Sequence, residues 1–310
     1  MKSRLVISSA VRTALKNHEP IVALESTILT HGLPRPTNLE VAQRCEAAVK
    51  SSGSVPATIF LYKGKIHIGA SEEELFELCQ CDDAVKVSRR DFAKVLSGSG
   101  WGGTTIAGTV LAANLSGIDL MATGGLGGVH RGAEISFDIS ADLSELGRTP
   151  VAVVSSGVKK ILDVQKTLEV LETQGVGTYT IGDSDAFPDF YMRDSGLKSH
   201  GGAISIEEAG KILAVNREVG ISSGIVFANP VPKDSEGDGI FISGLIDEAL
   251  LEAGRQNITG PASTPFILSK LAELSGGKTV EINVRLVENN CLVGGQIAKE
   301  FALQRNSWCV

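Results

Sequence analysis

The 310-residue sequence is short of several things, and each shortage excludes a class of protein. Cysteines number five: Cys45, Cys79, Cys81, Cys291 and Cys309. They are odd in number and scattered, Cys79-Gln-Cys81 is not a CxxC, and no second pair completes a zinc site, so ordinary reduced thiols are expected. There is no basic run, and a net charge of -7 speaks against a nucleic-acid surface. No apolar run reaches the roughly 18 residues that a membrane span needs. The opening MKSRLVISSAVRTALKN lacks the uninterrupted apolar stretch of a secretory signal, and the closing NSWCV is not a standard peroxisomal address. An intracellular protein, cytoplasmic by default, is therefore expected, with neither membrane nor nucleic-acid polymer as partner. Nucleotide loops are missing too. TGGLGG (Thr123 to Gly128) lacks GxGxxG spacing, and GSGWGGTT (Gly98 to Thr105) lacks the Walker lysine. Repeats, low-complexity tracts and long linkers are absent.

What is present reads as an α/β enzyme: 43% apolar residues and 35 glycines in a chain long enough for a large core. Residues 20–32 predict an apolar strand running into polar residues, and Thr37-x-x-Glu40 a capping box opening a helix to about Lys50. Ala57 to Tyr62 and Lys65 to Ile68 predict a hairpin turning at Lys63-Gly64, and Ser71-x-x-Glu74 a short capped acidic helix. Strands follow at Ala84 to Val87, Ile118 to Ala122, Pro150 to Ser156, Val176 to Ile181 and Gly224 to Ala228. Between them, helices are expected over Ile106 to Leu115 and from Ser205-x-x-Glu208 to Val219. Gly157 should break its strand, with Lys159 and Lys160 opening a helix on Ile161, Val164, Leu168 and Leu171. Lys233 to Gly239 reads as a mobile loop, and helices close the chain at about 241–256, 264–275 (started by Thr264-Pro265) and 278–301. Strand and helix alternate through two thirds of the chain. That pattern implies a single domain over 1–310, three-layer α/β/α, with a mostly parallel central sheet and a helical C-terminal third.

Several residues stand out chemically. Glu25 interrupts its apolar run, and a carboxylate there must be paired or protonated. It is either a strand-end glutamate bonded to backbone or a functional acid. Lys86, Arg89 and Arg90 crowd one strand end, as a solvated rim or as an anion site. His130 and Asp138 do not make a metal site by spacing. Asp142, in Asp142-x-x-Glu145, is a helix cap or a catalyst, and spacing does not separate the two. Asn289 and Asn290 lie in the last helix, where a buried amide needs partners or faces a ligand. Lys159 falls where a buried strand meets its crossover, the edge at which open α/β sheets bind ligands.

Longer strings then identify a relative. ALEST (Ala23 to Thr27), PATI (Pro56 to Ile59), KVSRRD (Lys86 to Asp91), ATGGLGGVHRGA (Ala122 to Ala133), FDISADL (Phe137 to Leu143), ANPVP (Ala228 to Pro232) and STPF (Ser263 to Phe266) occur in order. In them the chain resembles the pseudouridine-5′-phosphate glycosidase family, also linked to indigoidine synthase A, from Ala23 to about Glu300. The resemblance implies reversible cleavage of the C–C glycosidic bond of pseudouridine 5′-phosphate to uracil and ribose 5-phosphate. It also implies one manganese ion (Mn2+) and a homotrimer. By that resemblance Lys159 is the nucleophile, Glu25 the proton donor and Asp138 the metal ligand. Lys86, Ile106, Ser140, Ala141 and Asp142 contact substrate, Ile106 through its backbone, and His130 and Asn289 match pocket positions. One departure is Lys160, where the family often has a small residue. The chemistry is coherent: a C–C glycosidic bond offers no leaving oxygen to protonate, and a lysine iminium at C1′ supplies the missing electron sink. Partial burial and the neighbouring Lys160 are expected to favour the neutral amine. A Schiff-base lyase or aldolase on another sugar phosphate, and a sugar-phosphate-binding regulator, are the rival readings. A carbohydrate kinase would need the nucleotide loop that is missing.

Overall fold

The computed structural model describes residues 2–256 and 278–307, with 258 and a few positions between 266 and 275. One sheet carries eleven strands: β1 (Leu5–Ile7), β2 (Ile21–Leu24), β3 (Val55–Tyr62), β4 (Lys65–Ile68), β5 (Val85–Val87), β6 (Gly102–Thr104), β7 (Leu120–Ala122), β8 (Ala152–Ser155), β9 (Gly177–Ile181), β10 (Ala203–Ile204) and β11 (Ile225–Ala228). The order is β1-β4-β3-β2-β7-β8-β11-β9-β10, with β6 beside β3 and β5 beside β6. From β3 through β10 along this path every pairing is parallel. The antiparallel pairs are β3 with β4, the expected hairpin, and β3 with β6.

Strand β3 is long enough to serve two neighbours along one edge. Val55 to Thr58 pair with β2, and Phe60 and Leu61 pair with β6. The handover occurs at Ser26, whose hydroxyl donates to Ile59 O and accepts from Thr104 N. The chain thus leaves the sheet just after Leu24, where the expected longer strand stops. Residues Ile28–Gly32 form a π-helical turn instead.

Alternating strand residues divide the core into two faces. Ala23, Met121, Val153 and Val226 pack with Val11, Val110, Leu143 and Leu171, beneath the helices Ser9–Asn17, Ile106–Ser116, Ala141–Leu146 and Val164–Thr173. Val22, Leu120, Val154 and Phe227 pack on the other face with Cys45, Leu213, Ile246 and Leu286, beneath the helices Thr37–Ser51, Ile206–Val219, Glu236–Arg255 and Lys278–Ser307. Period-two side-chain alternation produces the three layers directly. Each fully buried Val, Leu or Phe contributes about 1.5–3 kcal/mol. Three of the four helices on the second face come from the last third of the chain, which is why it is mostly helical. Among the described residues no helix is long and apolar enough to cross a membrane.

Three local expectations change. The helix Thr37–Ser51 has no side-chain cap, so Thr37 and Glu40 do not form a box. The boxes at Ser71 and Ser205 are present. Lys233 to Gly239 is a short 3-10 turn running into the helix Glu236–Arg255, not a loop. Its polar residues face outward while Ser235 and Gly239 are buried, and a Cβ at Gly239 would lie 2.1 Å from Tyr191 O. That glycine marks a close approach rather than flexibility. Finally, Lys159 and Lys160 do not open a helix. Residues 159–162 turn, and the helix starts at Val164 with the Asp163 side chain accepting from Lys166 N. The expected helix start at Thr264-Pro265 lies outside the described residues.

Candidate active site

Adjacent parallel strands end on one rim and deliver the chemistry there. β2 leads into Glu25, β7 into Thr123 and β8 into Ser156 to Lys159. The chain passes from β2 to β3 on one side and from β7 to β8 on the other. The β2/β7 boundary is therefore the switch point at which open α/β sheets bind ligands. A cleft of about 300 Å³ opens there, lined by Glu25, Lys86, Thr123, Lys159, Lys160 and Asn283, with Phe190 and Tyr191 on one wall.

The glycine-rich loop lies alongside the end of β8 and extends the ladder. Leu126 N donates to Gly157 O at 2.9 Å, and Lys159 N to Leu126 O at 3.1 Å. Gly157 takes a φ of +77°, and a Cβ there would sit 1.8 Å from Pro188 O. Only glycine lets the 188–190 segment come so close, and that segment forms the cleft wall. Lys159 follows with its side chain exposed, which corrects the expectation of partial burial. Lys160 is the more buried neighbour, and its Nζ is 2.5 Å from Asp189 Oδ2.

Glu25 is half-buried by surface, but protein surrounds its carboxylate, and Thr123 Oγ1 donates to Oε1. Burial is the largest influence on it and raises its pKa above the ordinary 4.5; the charges of Lys159 and Lys86 oppose this and Asp142 adds to it. Four candidates, Glu25, Lys86, Lys159 and Asp142, are thus within electrostatic reach of one another. Asp142 is buried and does not cap its own helix; Ser140 does. Instead Asp142 accepts from Ala107 N at 3.0 Å and Gly127 N at 3.1 Å, tying the start of the helix Ile106–Ser116 to the glycine-rich loop. Ile106 is 2% exposed and does not line the cleft. Ser140 and exposed Ala141 stand beside Asp142 in the chain.

The three cations of KVSRRD separate. Lys86 enters the cleft. Arg89 grips Glu145 with two bonds of 2.6 and 2.5 Å, and Arg90 is 89% exposed beside Asp91. His130 and Asp138 face each other at 3.7 Å, Nδ1 to Oδ2, beside a second cavity that shares Ile161 with the first. Among the described residues no three His, Cys, Asp or Glu side chains group as a metal cage.

Of the two asparagines, Asn289 does not line the cleft and Asn290 is fully buried. Asn290 Nδ2 donates to Thr123 O and Ser156 Oγ while its Oδ1 accepts from Asn229, so it braces the ends of β7, β8 and β11. Sequence reasoning passed over Asn283, whose Oδ1 is buried in the cleft wall without a hydrogen-bond partner among the described residues. The available signal was an amide between the apolar Ile282 and Val284. It also passed over Thr123 and over His31, a cleft residue lowered in pKa first by burial and then by Lys86.

This geometry matches known proteins over its whole extent. The family model described as indigoidine synthase A like protein matches residues 10–300. A pseudouridine-5′-phosphate glycosidase of Caldanaerobacter subterraneus subsp. tengcongensis is 46% identical over 95% of this chain and 96% of its own. One from Arabidopsis thaliana is 46% identical over 96% of this chain and 90% of its own. Among solved structures, the prealnumycin C-glycosynthase AlnA in complex with ribulose 5-phosphate superposes with a TM-score of 0.90 at 31% identity, covering 98% of both chains. An indigoidine synthase A-like protein from Thermotoga maritima gives 0.83 at 34% identity, covering 96% of this chain and 97% of its own. With the family model spanning nearly every residue that builds the sheet and the cleft, the chain belongs to the indigoidine synthase A like protein family.

Proposed function

We propose that this chain is a pseudouridine-5′-phosphate glycosidase, reversibly cleaving the C–C glycosidic bond to uracil and ribose 5-phosphate. One observation carries the reading: an exposed lysine, a carboxyl raised by burial and a second cation share one cleft at the carboxyl ends of parallel strands. The relatives' shared name and the sugar phosphate named with the C-glycosynthase support the substrate class.

In this reading Lys159 Nζ attacks C1′, the C1′–O4′ bond breaks, and Glu25 in its protonated form gives O4′ its proton. The C1′–C5 bond then breaks. Its electrons go to the uracil ring, which takes at C5 the proton that Nζ shed to Glu25 after its attack, and C1′ is left as the lysine iminium. Water releases ribose 5-phosphate and restores the amine. Lys86 meets the phosphate, with the backbone of Ile106 and the Ser140-Ala141-Asp142 run as further contacts. Asn283 lines the cleft wall on the side where the base would lie. Asp142 hands protons to and from Glu25. Incubating the purified chain with pseudouridine 5′-phosphate should release uracil on a chromatogram; binding without turnover would instead favour a sugar-phosphate-binding regulator.

The reading includes one manganese ion at Asp138. The donor set suits it: a carboxylate 36% exposed, with His130 Nδ1 3.7 Å away, leaves oxygen lone pairs and room for water, as a hard divalent ion requires. A bound ion there would supply positive charge to orient an anionic ligand. Chelation should abolish turnover and manganese restore it, and Asp138→Ala should lose the bound metal by elemental analysis; full metal content in that variant would end the assignment. The reading also includes a homotrimer, for which Ile135 and Phe137, 87% and 81% exposed, offer apolar surface to a second copy. A sedimenting species of one-chain mass would rule that out.

A further inference from the structure

Lys159 and Lys160 stand next to each other in the chain and both line the cleft. A sugar carbonyl entering the cleft meets two primary amines of equal intrinsic chemistry. The structure treats them differently. Lys159 is exposed, whereas the Lys160 side chain is 20% exposed and its Nζ lies 2.5 Å from Asp189 Oδ2, on a side chain 5% exposed.

Asp189 is held in place by the same segment that carries the lysines. It bridges to Gly157, and the next residue's amide, Phe190 N, donates to Ser156 O at 2.7 Å. Gly157 admits the Pro188 carbonyl where any side chain would clash. The carboxylate is therefore aimed by backbone bonds made within four residues of Lys160. Its other oxygen, Oδ1, is buried without a hydrogen-bond partner among the described residues. That is a costly arrangement to keep for packing alone.

We propose that Asp189 masks Lys160, holding it as a paired ammonium so that imine formation with a sugar carbonyl is confined to Lys159. The inference rests on the lysine-imine reading of the cleft. Imine formation needs a lone pair: the neutral amine nitrogen bonds to the carbonyl carbon, and the oxygen leaves as water with both amine hydrogens. An ammonium clamped to a carboxylate has no lone pair to offer. Asp189 touches no substrate in this scheme and is a positioning residue. Without that carboxylate the Lys160 amine is released from its clamp and becomes a competing nucleophile.

The test uses the full folded chain with glycolaldehyde and cyanoborohydride, which reduces each imine to a stable secondary amine, followed by peptide mass mapping. In the unaltered protein the adduct on Lys159 should exceed that on Lys160 by at least about tenfold. In Asp189→Asn the Lys160 adduct should rise by about tenfold or more with Lys159 labelling kept, because a charge-assisted bond is worth more than the 1.36 kcal/mol that corresponds to a factor of ten. Asp189→Ser should do the same and serves if the amide variant does not fold. Asp189→Glu should restore part of the protection. Lys160 as silent in the folded Asn and Ser variants as in the parent would mean that burial alone shields it, and would overturn the proposal. A loss of Lys159 label with Lys160 still silent would make Asp189 a mere tether, and would overturn it equally. Failure to release uracil would count against the glycosidase reading and leave this labelling ratio unaffected, since glycolaldehyde is not its substrate.

Discussion

Glu25 and Glu145 are both carboxylates taken largely out of water, and they are treated in opposite ways. Glu145 has no exposed side-chain surface and accepts from Arg89 at 2.6 and 2.5 Å, from Arg148 at 3.0 Å and from Thr149 at 2.6 Å. Desolvation pushes its carboxyl up, and the bonds from Arg89, Thr149 and Arg148 outweigh that and hold it below the usual carboxylate range. Glu25 has Thr123 as its side-chain donor among the described residues, and there burial prevails over the nearby lysines. The saturated carboxylate is a strut between the KVSRRD turn and the helix Ala141–Leu146. The under-bonded one can give up a proton and take it back. Burial alone does not mark a functional acid; unmet hydrogen-bonding capacity beside a cleft does.

The largest effects should come from the open side of that contrast. Lys159→Ala should abolish turnover, and because its amine is exposed the folding free energy should stay within about 0.5 kcal/mol of the parent. Glu25→Gln should cost about 10²–10⁴-fold in kcat, the usual worth of a positioned acid or base, with no loss of stability. Steady-state kinetics beside denaturant melts read both quantities. An active Lys159→Ala would remove the imine from the mechanism whatever the substrate proved to be.

Glu145→Gln should invert the pattern: about 1.5–3 kcal/mol of stability lost, moderated because Arg89 and Arg148 keep access to water, and kcat retained in the folded fraction. The pH dependences should differ in sign. Glu145 is depressed in the fold, so its contribution to stability is present above the ordinary 4.5 and is lost as pH falls through its folded value. Glu25 is raised, so its contribution is full below 4.5 and is lost as pH rises through its folded value. Stability against pH should therefore flatten on the acid side in Glu145→Gln and on the rising side in Glu25→Gln. Catalysis by protonated Glu25 should fall along that same rising limb, and the limb should vanish from the activity profile of Glu25→Gln. Identical pH profiles in the two variants would dissolve the distinction.

Much of this was legible in the sequence because periodicity and capping are local. The hairpin at Lys63-Gly64, the boxes at Ser71 and Ser205 and the strands β7, β8, β9 and β11 follow from neighbours a few residues apart. What failed to be legible depends on distant chain. β6 is only Gly102–Thr104, and nothing local shows that β3 has a free half-edge for it. Lys159 was expected in a helix because Ile161 and Val164 keep helical spacing, yet the bridge from Asp163 to Val129 holds residues 159–162 in a turn. Asp142 could be a cap or a catalyst on spacing alone; its bonds to Ala107 and Gly127 come from segments 35 and 15 residues away. Asn289 and Asn290 are indistinguishable in sequence, and one helical step of 100° separates a peripheral amide from a central brace.

The same lesson governs the smallest expected effects, in KVSRRD. Three cations within five residues invite a single role, but the backbone turn at Arg89–Asp91 sends them three ways. Lys86 lines the cleft and is placed to meet a phosphate. Removing one charge-assisted contact costs about 1.5–3 kcal/mol, so Lys86→Ala should lower kcat/KM for pseudouridine 5′-phosphate by about 10–150-fold while barely changing that for unphosphorylated pseudouridine. Equal losses on both substrates would mean that Lys86 supports the cleft and not the phosphate. Arg90 offers the matched control. It carries the same charge four residues on, but at 89% exposure its 3.4 Å contact with Asp91 is screened by water and salt. Arg90→Ala should shift stability by less than about 0.5 kcal/mol and leave the phosphate preference intact. If Arg90→Ala instead eroded that preference as Lys86→Ala does, the anion would be held by the summed field of the strand end. The separation of Lys86 from its neighbours would then have no functional meaning.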